Sequence, residues 1–314
     1  MDEIEVVCLC QHYDMKEFYG HGFAAKAPWI KLKFPHEVKD PLRIRHALAF
    51  SPADQDFAPY GNLELVSSGG AGVDAILSNP SLPADVAVSR IIVPEQAQSM
   101  ASFAVWHIVN WQRQMQSYPA QQREANWNII NRTPPSNFPV GILGFGKIGS
   151  QLAAPLRLLG YPVTVLATSE REIEDGTVVV TGDEGLGEII QNSRAIVNLL
   201  PLTEQTEGIL NADTFAQMRD DAIVINLGRG GHLIEDDLLD ALEKGRPAAA
   251  ALDTFATEPL PTDHPFWKHD KVFVTPHVAG DADADDVAVF IAEGIRQFEA
   301  GKNPAGLVDR ATGY

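Results

Sequence analysis

The chain has 314 residues, 45% of them apolar, which is enough for two domains of ordinary size with substantial cores. Its formal net charge of −18 argues against nucleic acid or an anionic membrane as partner, since both require basic surface, and no apolar run is long enough to span a bilayer. An anionic substrate would have to be drawn in by a local positive site against the field of the whole molecule.

The N-terminal MDEIEVVCLC is acidic and turns apolar at once. It has no basic leader and reads as a first strand, which suggests a cytoplasmic protein. Cys8 and Cys10 lie two apart and face one side of that strand. Two cysteines supply neither a disulfide framework nor a zinc site, so buried free thiols and no metal are expected. Up to residue 93, short apolar runs at 4–10, 29–34, 47–50, 63–67 and 86–92 alternate with polar connections and turn residues. The pattern indicates a smaller α/β domain, although it does not place the helices. Within it, Ser68-Gly69-Gly70-Ala71-Gly72-Val73-Asp74 follows a strand and precedes a helical run. Small residues there expose consecutive backbone N–H groups, which suits either a carboxylate cradle or an ordinary glycine-rich turn.

Pro94 suits the first turn of a helix, and residues 95–118 read as one long helix with Ala101, Val105, Ile108 and Met115 on one face. A helix of that length between two α/β blocks is a candidate domain crossover. Residues 119–137 look like an arm or loop.

Next comes FPVGILGFGKIG at 138–149, in which the apolar run Val140–Leu143 leads into Gly144-x-Gly146-x-x-Gly149. A helical stripe of Ile148, Leu152, Leu156 and Leu159 follows. Strand, tight turn and helix in this order suit a nicotinamide dinucleotide, with the pyrophosphate at the helix N-terminus. Flavin and S-adenosylmethionine sites can share the pattern. A second strand, Val163–Ala167, ends at Thr168-Ser169-Glu170-Arg171, where the adenine ribose is expected. No carboxylate caps that strand, and Ser169 and Arg171 suit a 2′-phosphate, which favours NADP(H) over NAD(H); Glu170 and Glu172 pull the other way.

Strands at 177–181, 195–200, 222–227 and 248–253 alternate with helical segments such as 234–244, implying a parallel, doubly wound sheet. Ligands in such sheets bind beyond the C-terminal strand ends, where Arg229, Asp253 and His277 fall. Asp281, Asp283, Asp285 and Asp286 open the last long helix, to about residue 300. They fail the calcium-loop pattern, with no Gly at its sixth position and Ala292 at its twelfth. Carboxylates favour a helix N-terminus by themselves, so capping is the expectation.

Six segments then occur in order: Gly70-Ala71-Gly72-Val73-Asp74, the Gly144 to Gly149 turn, Pro201-Leu202-Thr203, Asn226-Leu227-Gly228-Arg229-Gly230, Leu252-Asp253-Thr254-Phe255 with Glu258-Pro259-Leu260-Pro261, and Thr275-Pro276-His277-Val278-Ala279-Gly280. Together they resemble the D-isomer-specific 2-hydroxyacid dehydrogenases. The closing Val308-Asp309-Arg310-Ala311-Thr312-Gly313-Tyr314 is similar to the tail of the bacterial glyoxylate/hydroxypyruvate reductase A branch.

The resemblance implies a Rossmann dinucleotide domain, residues 95–281, inserted into a smaller flavodoxin-like substrate domain made of residues 1–94 and 282–314. It also implies a homodimer joined mainly through the dinucleotide domains. By the same analogy His277 is the acid–base residue and Glu258 its partner, while Arg229 binds the substrate carboxylate and carbonyl. Gly70, Ala71 and Gly72 would hold the carboxylate from the other domain, so that closure completes the site. Cofactor contacts carried over are Gly144, Gly146, Lys147, Ile148, Gly149, Thr168, Ser169, Arg171, Pro201, Leu227, Asp253 and Gly280, with Asp253 meeting the nicotinamide carboxamide.

These residue types suit the chemistry. An imidazolium can give a proton near neutral pH, a carboxylate steadies it, and a guanidinium offers a planar fork to a carboxylate and a developing alkoxide. Taken singly, Arg229 could pair with a surface acid, His277 could be a satisfied loop histidine and Glu258 could cap a turn before Pro259. Gly228 departs from the Ala common before the Arg, Ala256-Thr257 from a more polar pair, and Ser102-Phe103 from Glu with His or Tyr. The function implied is NAD(P)H-dependent reduction of a small 2-oxo acid such as glyoxylate or hydroxypyruvate. The alternatives are a reductase of bulkier 2-oxo acids, or a dinucleotide-sensing interaction protein of the co-repressor type.

Overall fold

Two parallel sheets organise the chain in a computed structural model that describes residues 3–130 and 133–310. The last four residues of the tail signature, Ala311 to Tyr314, and residues 131–132 of the expected arm lie outside the described residues. The chain divides into two compact units, Met1–Gln96 with Ala282–Tyr314, and Ala97–Asp281. Among the described residues no helix is long and apolar enough to cross a membrane.

The first unit holds strands β1 (Ile4–Cys10), β2 (Ile30–Lys33), β3 (His46–Phe50), β4 (Leu65–Ser68) and β5 (Ala87–Ser89). They are all parallel, in the order β2-β1-β3-β4-β5. Along β1, Val6 and Cys8 enter the core on one face and Val7 and Leu9 the core on the other. Covering on both faces is why residues 6–10 of β1 read as an unbroken apolar run. Cys8 is buried and its thiol is pushed up to about 12 by that burial, so it stays protonated at neutral pH. Cys10 is only half-buried, against expectation, because it ends the strand at the sheet's C-terminal edge.

Helix α1 (Met15–Lys26) was not legible in the sequence, since Gly20 and Gly22 dilute its pattern. Asp14 starts it by accepting from the amides of Lys16 and Glu17. A Cβ on Gly22 would lie 2.5 Å from the carbonyl oxygen of Ala284, at the start of the last helix (Ala284–Glu299). Close packing of those two helices therefore needs glycine. The last helix begins at Asp283, which accepts from Asp285 N–H, so this aspartate caps as expected. After the glycine turn the run is a single helical turn, α2 (Asp74–Leu77).

The expected helix over 95–118 breaks in two: α3 (Pro94–Gln112) ends two residues before Gln114, which is in the left-handed region with φ 53°, and α4 (Tyr118–Arg123) follows. Pro119 lacks the N–H a continuing helix needs and suits a first turn instead, so the helix restarts there.

The second unit holds β6 (Val140–Leu143), β7 (Val163–Ala167), β8 (Val178–Thr181), β9 (Ala195–Asn198), β10 (Ile223–Asn226), β11 (Ala249–Leu252) and β12 (Val272–Val274). These run parallel in the order β12-β11-β10-β9-β6-β7-β8. Helices α5 (Lys147–Leu158), α6 (Gly182–Asn192), α7 (Ala212–Gln217) and α8 (Glu235–Glu243) connect them, and α9 (Ala284–Glu299) belongs to the first unit. On α5, Leu152 and Leu156 are buried, but Leu159 is the C-cap and exposed. Each fully buried leucine of this kind contributes about 1.5–3 kcal/mol of apolar burial. Strand order reverses between β6 and β9, the switch point beyond which ligands bind in such sheets. Strands β9, β10 and β11 end one or two residues before the expected limits: Leu199, Leu227 and Asp253 each give a last backbone bond to the neighbouring strand, and the chain then passes into the loops that carry the polar groups.

Candidate active site

At the C-terminal end of β12 the chain turns sharply, and His277 stands at φ 55°, a left-handed conformation rare for a residue with a side chain. Asp253, at the end of β11 and 2% exposed, organises this loop. Its carboxylate accepts from the Thr275 hydroxyl at 2.7 Å and from the amides of Val278 and Ala279 at 2.9 Å each. Three hydrogen bonds to one buried carboxylate compensate both its desolvation and the strain at His277.

That loop aims the imidazole at Glu258, 19 residues earlier, and Nδ1 lies 2.8 Å from Glu258 Oε2. The other carboxylate oxygen, Oε1, accepts from Phe255 N–H at 3.0 Å. Burial raises the proton affinity of Glu258, but the His277 hydrogen bond and charge, the Phe255 amide and the charge of Arg229 outweigh it and hold the carboxyl below its ordinary range. Glu258 is thus ionised at neutral pH, and Nδ1 donates to it.

Arg229 follows β10 and is fixed through its backbone. Its N–H donates to His232 Nδ1 at 3.0 Å, and its carbonyl accepts from Asn226 Nδ2 at 3.0 Å. Asn226 Oδ1 accepts in turn from Asn198 Nδ2 at 2.9 Å. His232 is fully buried, with Nε2 3.2 Å from the Pro201 carbonyl; as Nδ1 is an acceptor, Nε2 carries the proton and donates. A Cβ on Gly228 would lie 2.9 Å from both Asn198 Nδ2 and His232 Nδ1, which accounts for Gly in place of Ala beside this arginine. A Cβ on Gly230 would lie 1.9 Å from Phe255 backbone atoms, so the Arg229 and Glu258 loops touch main chain to main chain.

The structure therefore brings together Arg229, Glu258 and His277, which lie on three separate loops beyond the strand ends. Composition and spacing did not reveal the supports Asn198, Asn226 and His232. Asn226 stands inside a recognised segment, but nothing local says that its amide braces the arginine.

A dinucleotide fits the second unit. Gly144 has φ 103°, and a Cβ on Gly149 would lie 2.1 Å from Gly144 O, so strand and helix meet as closely as such a turn requires. The N–H groups of Lys147, Ile148 and Gly149, at the start of the twelve-residue α5, precede its first helical acceptor. Thr168, Ser169 and Arg171 are exposed after β7. Arg171 donates to Phe145 O at 2.8 Å and lies over the Phe145 ring, which places its guanidinium beside the glycine turn. Pro201 is exposed and Gly280 half-buried, whereas Leu227 is 3% exposed with its side chain in the core, leaving only its backbone to meet a ligand.

In the first unit, Gly70 N–H is turned inward, donating to Ser68 Oγ at 3.1 Å, while Ala71 and Gly72 are half-exposed. The outward donors of this turn are thus Ala71 and Gly72 rather than all three residues.

Comparison with known proteins places the chain in a family. The sequence profile described as D-isomer specific 2-hydroxyacid dehydrogenase, NAD binding domain, matches residues 105–279. Glyoxylate/hydroxypyruvate reductase A of Serratia proteamaculans is 40% identical over 274 residues, spanning 86% of this chain and 87% of that protein. Its counterpart from Photorhabdus laumondii is 34% identical over 96% of this chain and all of its own length. Among solved structures, a D-isomer specific 2-hydroxyacid dehydrogenase from Xanthobacter autotrophicus Py2 in complex with NADPH and MES superposes with a TM-score of 0.89 at 34% identity, covering 100% of both chains. An NADPH-dependent glyoxylate/hydroxypyruvate reductase from Sinorhizobium meliloti with NADP and sulfate gives 0.89 at 31% identity, covering 99% of this chain and 100% of that one.

Proposed function

Because the chain belongs to the D-isomer-specific 2-hydroxyacid dehydrogenase family, an oxidoreductase family with an NAD-binding domain, we propose that it reduces a small 2-oxo acid, glyoxylate or hydroxypyruvate, to the D-2-hydroxy acid. The observation that carries this reading is the 2.8 Å contact of His277 Nδ1 with an ionised Glu258, within the field of Arg229.

The glycine turn from Gly144 to Gly149 and the start of α5 would hold the reduced dinucleotide, whose nicotinamide, when bound, would supply hydride to a carbonyl carbon. His277 gives the proton from Nε2 to the carbonyl oxygen, while Nδ1–H stays on Glu258, which fixes the ring and steadies its positive form. Arg229 offers its planar fork to the carboxylate and to the oxygen on which charge develops. Ala71 and Gly72 are the amide donors that the family resemblance assigns to a substrate carboxylate. Asp253, besides bracing the His277 loop, is assigned to the nicotinamide carboxamide.

NADP(H) is the assigned cofactor. Supports are the absence of a carboxylate capping β7, the guanidinium of Arg171 beside the glycine turn, and the NADP and NADPH held by the Sinorhizobium and Xanthobacter relatives. A cytoplasmic homodimer completes the proposal; the free Cys8 and Cys10 suit a reducing compartment.

The test is loss of reduced-nicotinamide absorbance with glyoxylate, hydroxypyruvate, pyruvate and phenylpyruvate, each with NADPH and with NADH. The expected result is higher kcat/KM on the first two acids and with NADPH. A preference for phenylpyruvate would move the substrate to the bulkier class, a preference for NADH would reverse the cofactor assignment, and oxidation with none of the four would favour a dinucleotide-sensing role.

A further inference from the structure

The glycine turn after β4 has its polar groups held from within the first unit. Gly69 N–H donates to Ala49 O at 2.9 Å, and Gly69 O accepts from the Tyr19 hydroxyl at 2.9 Å. Gly70 O accepts from Ile91 N–H at 3.3 Å. In a trans peptide the N–H points opposite to the C=O, so an inward Gly70 carbonyl turns the Ala71 N–H away from the sheet. Ser68 closes the turn. Its hydroxyl, 1% exposed in residue terms, accepts from Gly70 N–H at 3.1 Å and donates to Gly72 O at 2.9 Å. One side chain thus ties the peptide groups on both sides of Ala71, using its donor and its acceptor at once. Among the described residues neither Ala71 N–H nor Gly72 N–H has an acceptor.

We propose that Ser68 is a positioning residue for substrate: its hydroxyl holds the turn in the one shape that presents the Ala71 and Gly72 amides to the substrate carboxylate. The inference rests on the carboxylate role given to those amides above. Without the hydroxyl, Gly70 N–H and Gly72 O lose their buried partner, and the turn gains other arrangements in which the two amides no longer keep their present directions. The loss falls on carboxylate binding in ground state and transition state alike, and such uniform loss appears in KM and not in kcat. The proposed proton donor and dinucleotide contacts lie in the other unit of the chain, so they are untouched.

The experiment measures Ser68→Ala in the full chain. The readouts are kcat and KM for glyoxylate, the inhibition constant of oxamate as a non-reacting 2-oxo acid isostere, the NADPH dissociation constant by fluorescence, and the melting temperature. The expected result is a rise of about tenfold in KM and in the oxamate constant, as for loss of a buried hydrogen bond, with kcat within about threefold and NADPH binding unchanged. Unchanged KM and oxamate binding overturn the proposal, as does a parallel fall of kcat and NADPH affinity, which marks a general role in folding. Ala71→Pro, which deletes one amide donor, separates the two layers of argument. If it raises KM while Ser68→Ala does not, the amides bind the carboxylate and Ser68 does not position them. If neither variant moves KM, the carboxylate role of the turn falls as well.

Discussion

His277 is held in a backbone conformation that costs a side chain about 1–3 kcal/mol, and the neighbouring Asp253 carboxylate, with three donors on it, stabilises that strained turn. The benefit is orientation: Nδ1 is fixed on Glu258, and Nε2 is the nitrogen proposed above to transfer the proton. His277→Ala is therefore expected to lower kcat by about 10²–10⁴-fold with the NADPH dissociation constant nearly unchanged, measured by steady-state kinetics and fluorescence titration. Near-wild-type kcat would remove His277 from the acid role. Sequence position gave this residue its candidacy, but its contact with Glu258 crosses from one strand-end loop to another and leaves no local trace.

Among the elements, the loops after β10 and β11 behave as one piece, because Gly230 lets the Arg229 loop lie against the backbone of Phe255. Gly230→Ala is expected to cost at least about tenfold in kcat/KM or to prevent folding, since backbone atoms at 1.9 Å cannot move aside as a side chain can. Gly187→Ala on α6, where the added Cβ meets only Gln191 at 3.9 Å, is the control expected to behave as wild type. Helix α3 offers a second case. His107 is 2% exposed among Phe103, Trp106 and Phe273, and burial pushes its pKa from 6.5 down to about 4. The unfolded chain then binds a proton that the folded chain does not, so the stability is present above pH 6.5 and lost as pH falls toward about 4. The loss is on the order of 3 kcal/mol. Urea midpoints of His107→Phe should fall less steeply than wild type over that window; parallel curves would refute the assignment.

For the molecule as a whole, a net charge of −18 and the substrate role proposed for Arg229 are reconciled by locality: a guanidinium would act at contact range, where salt does not screen it as it screens surface charge. The second unit also exposes Trp106, Trp127, Ile129 and Phe273, large apolar side chains that suit a contact between copies. Light scattering is expected to give twice the chain mass of 34.2 kDa, and a particle of single-chain mass would overturn the homodimer.

Local pattern by itself determined the parallel α/β architecture, the glycine turn before α5 and the placing of Arg229, Asp253 and His277 beyond strand ends. Buried parallel strands need apolar runs, and tight turns need glycine, so both leave marks within a few residues. Tertiary structure alone decided that α1 exists despite two glycines. It also decided that Asn198 holds Asn226, that Pro201 holds His232 beneath the arginine, and that His277 meets Glu258. Those outcomes depend on which strands become neighbours and which backbones touch, and such long-range pairing has no period along the chain.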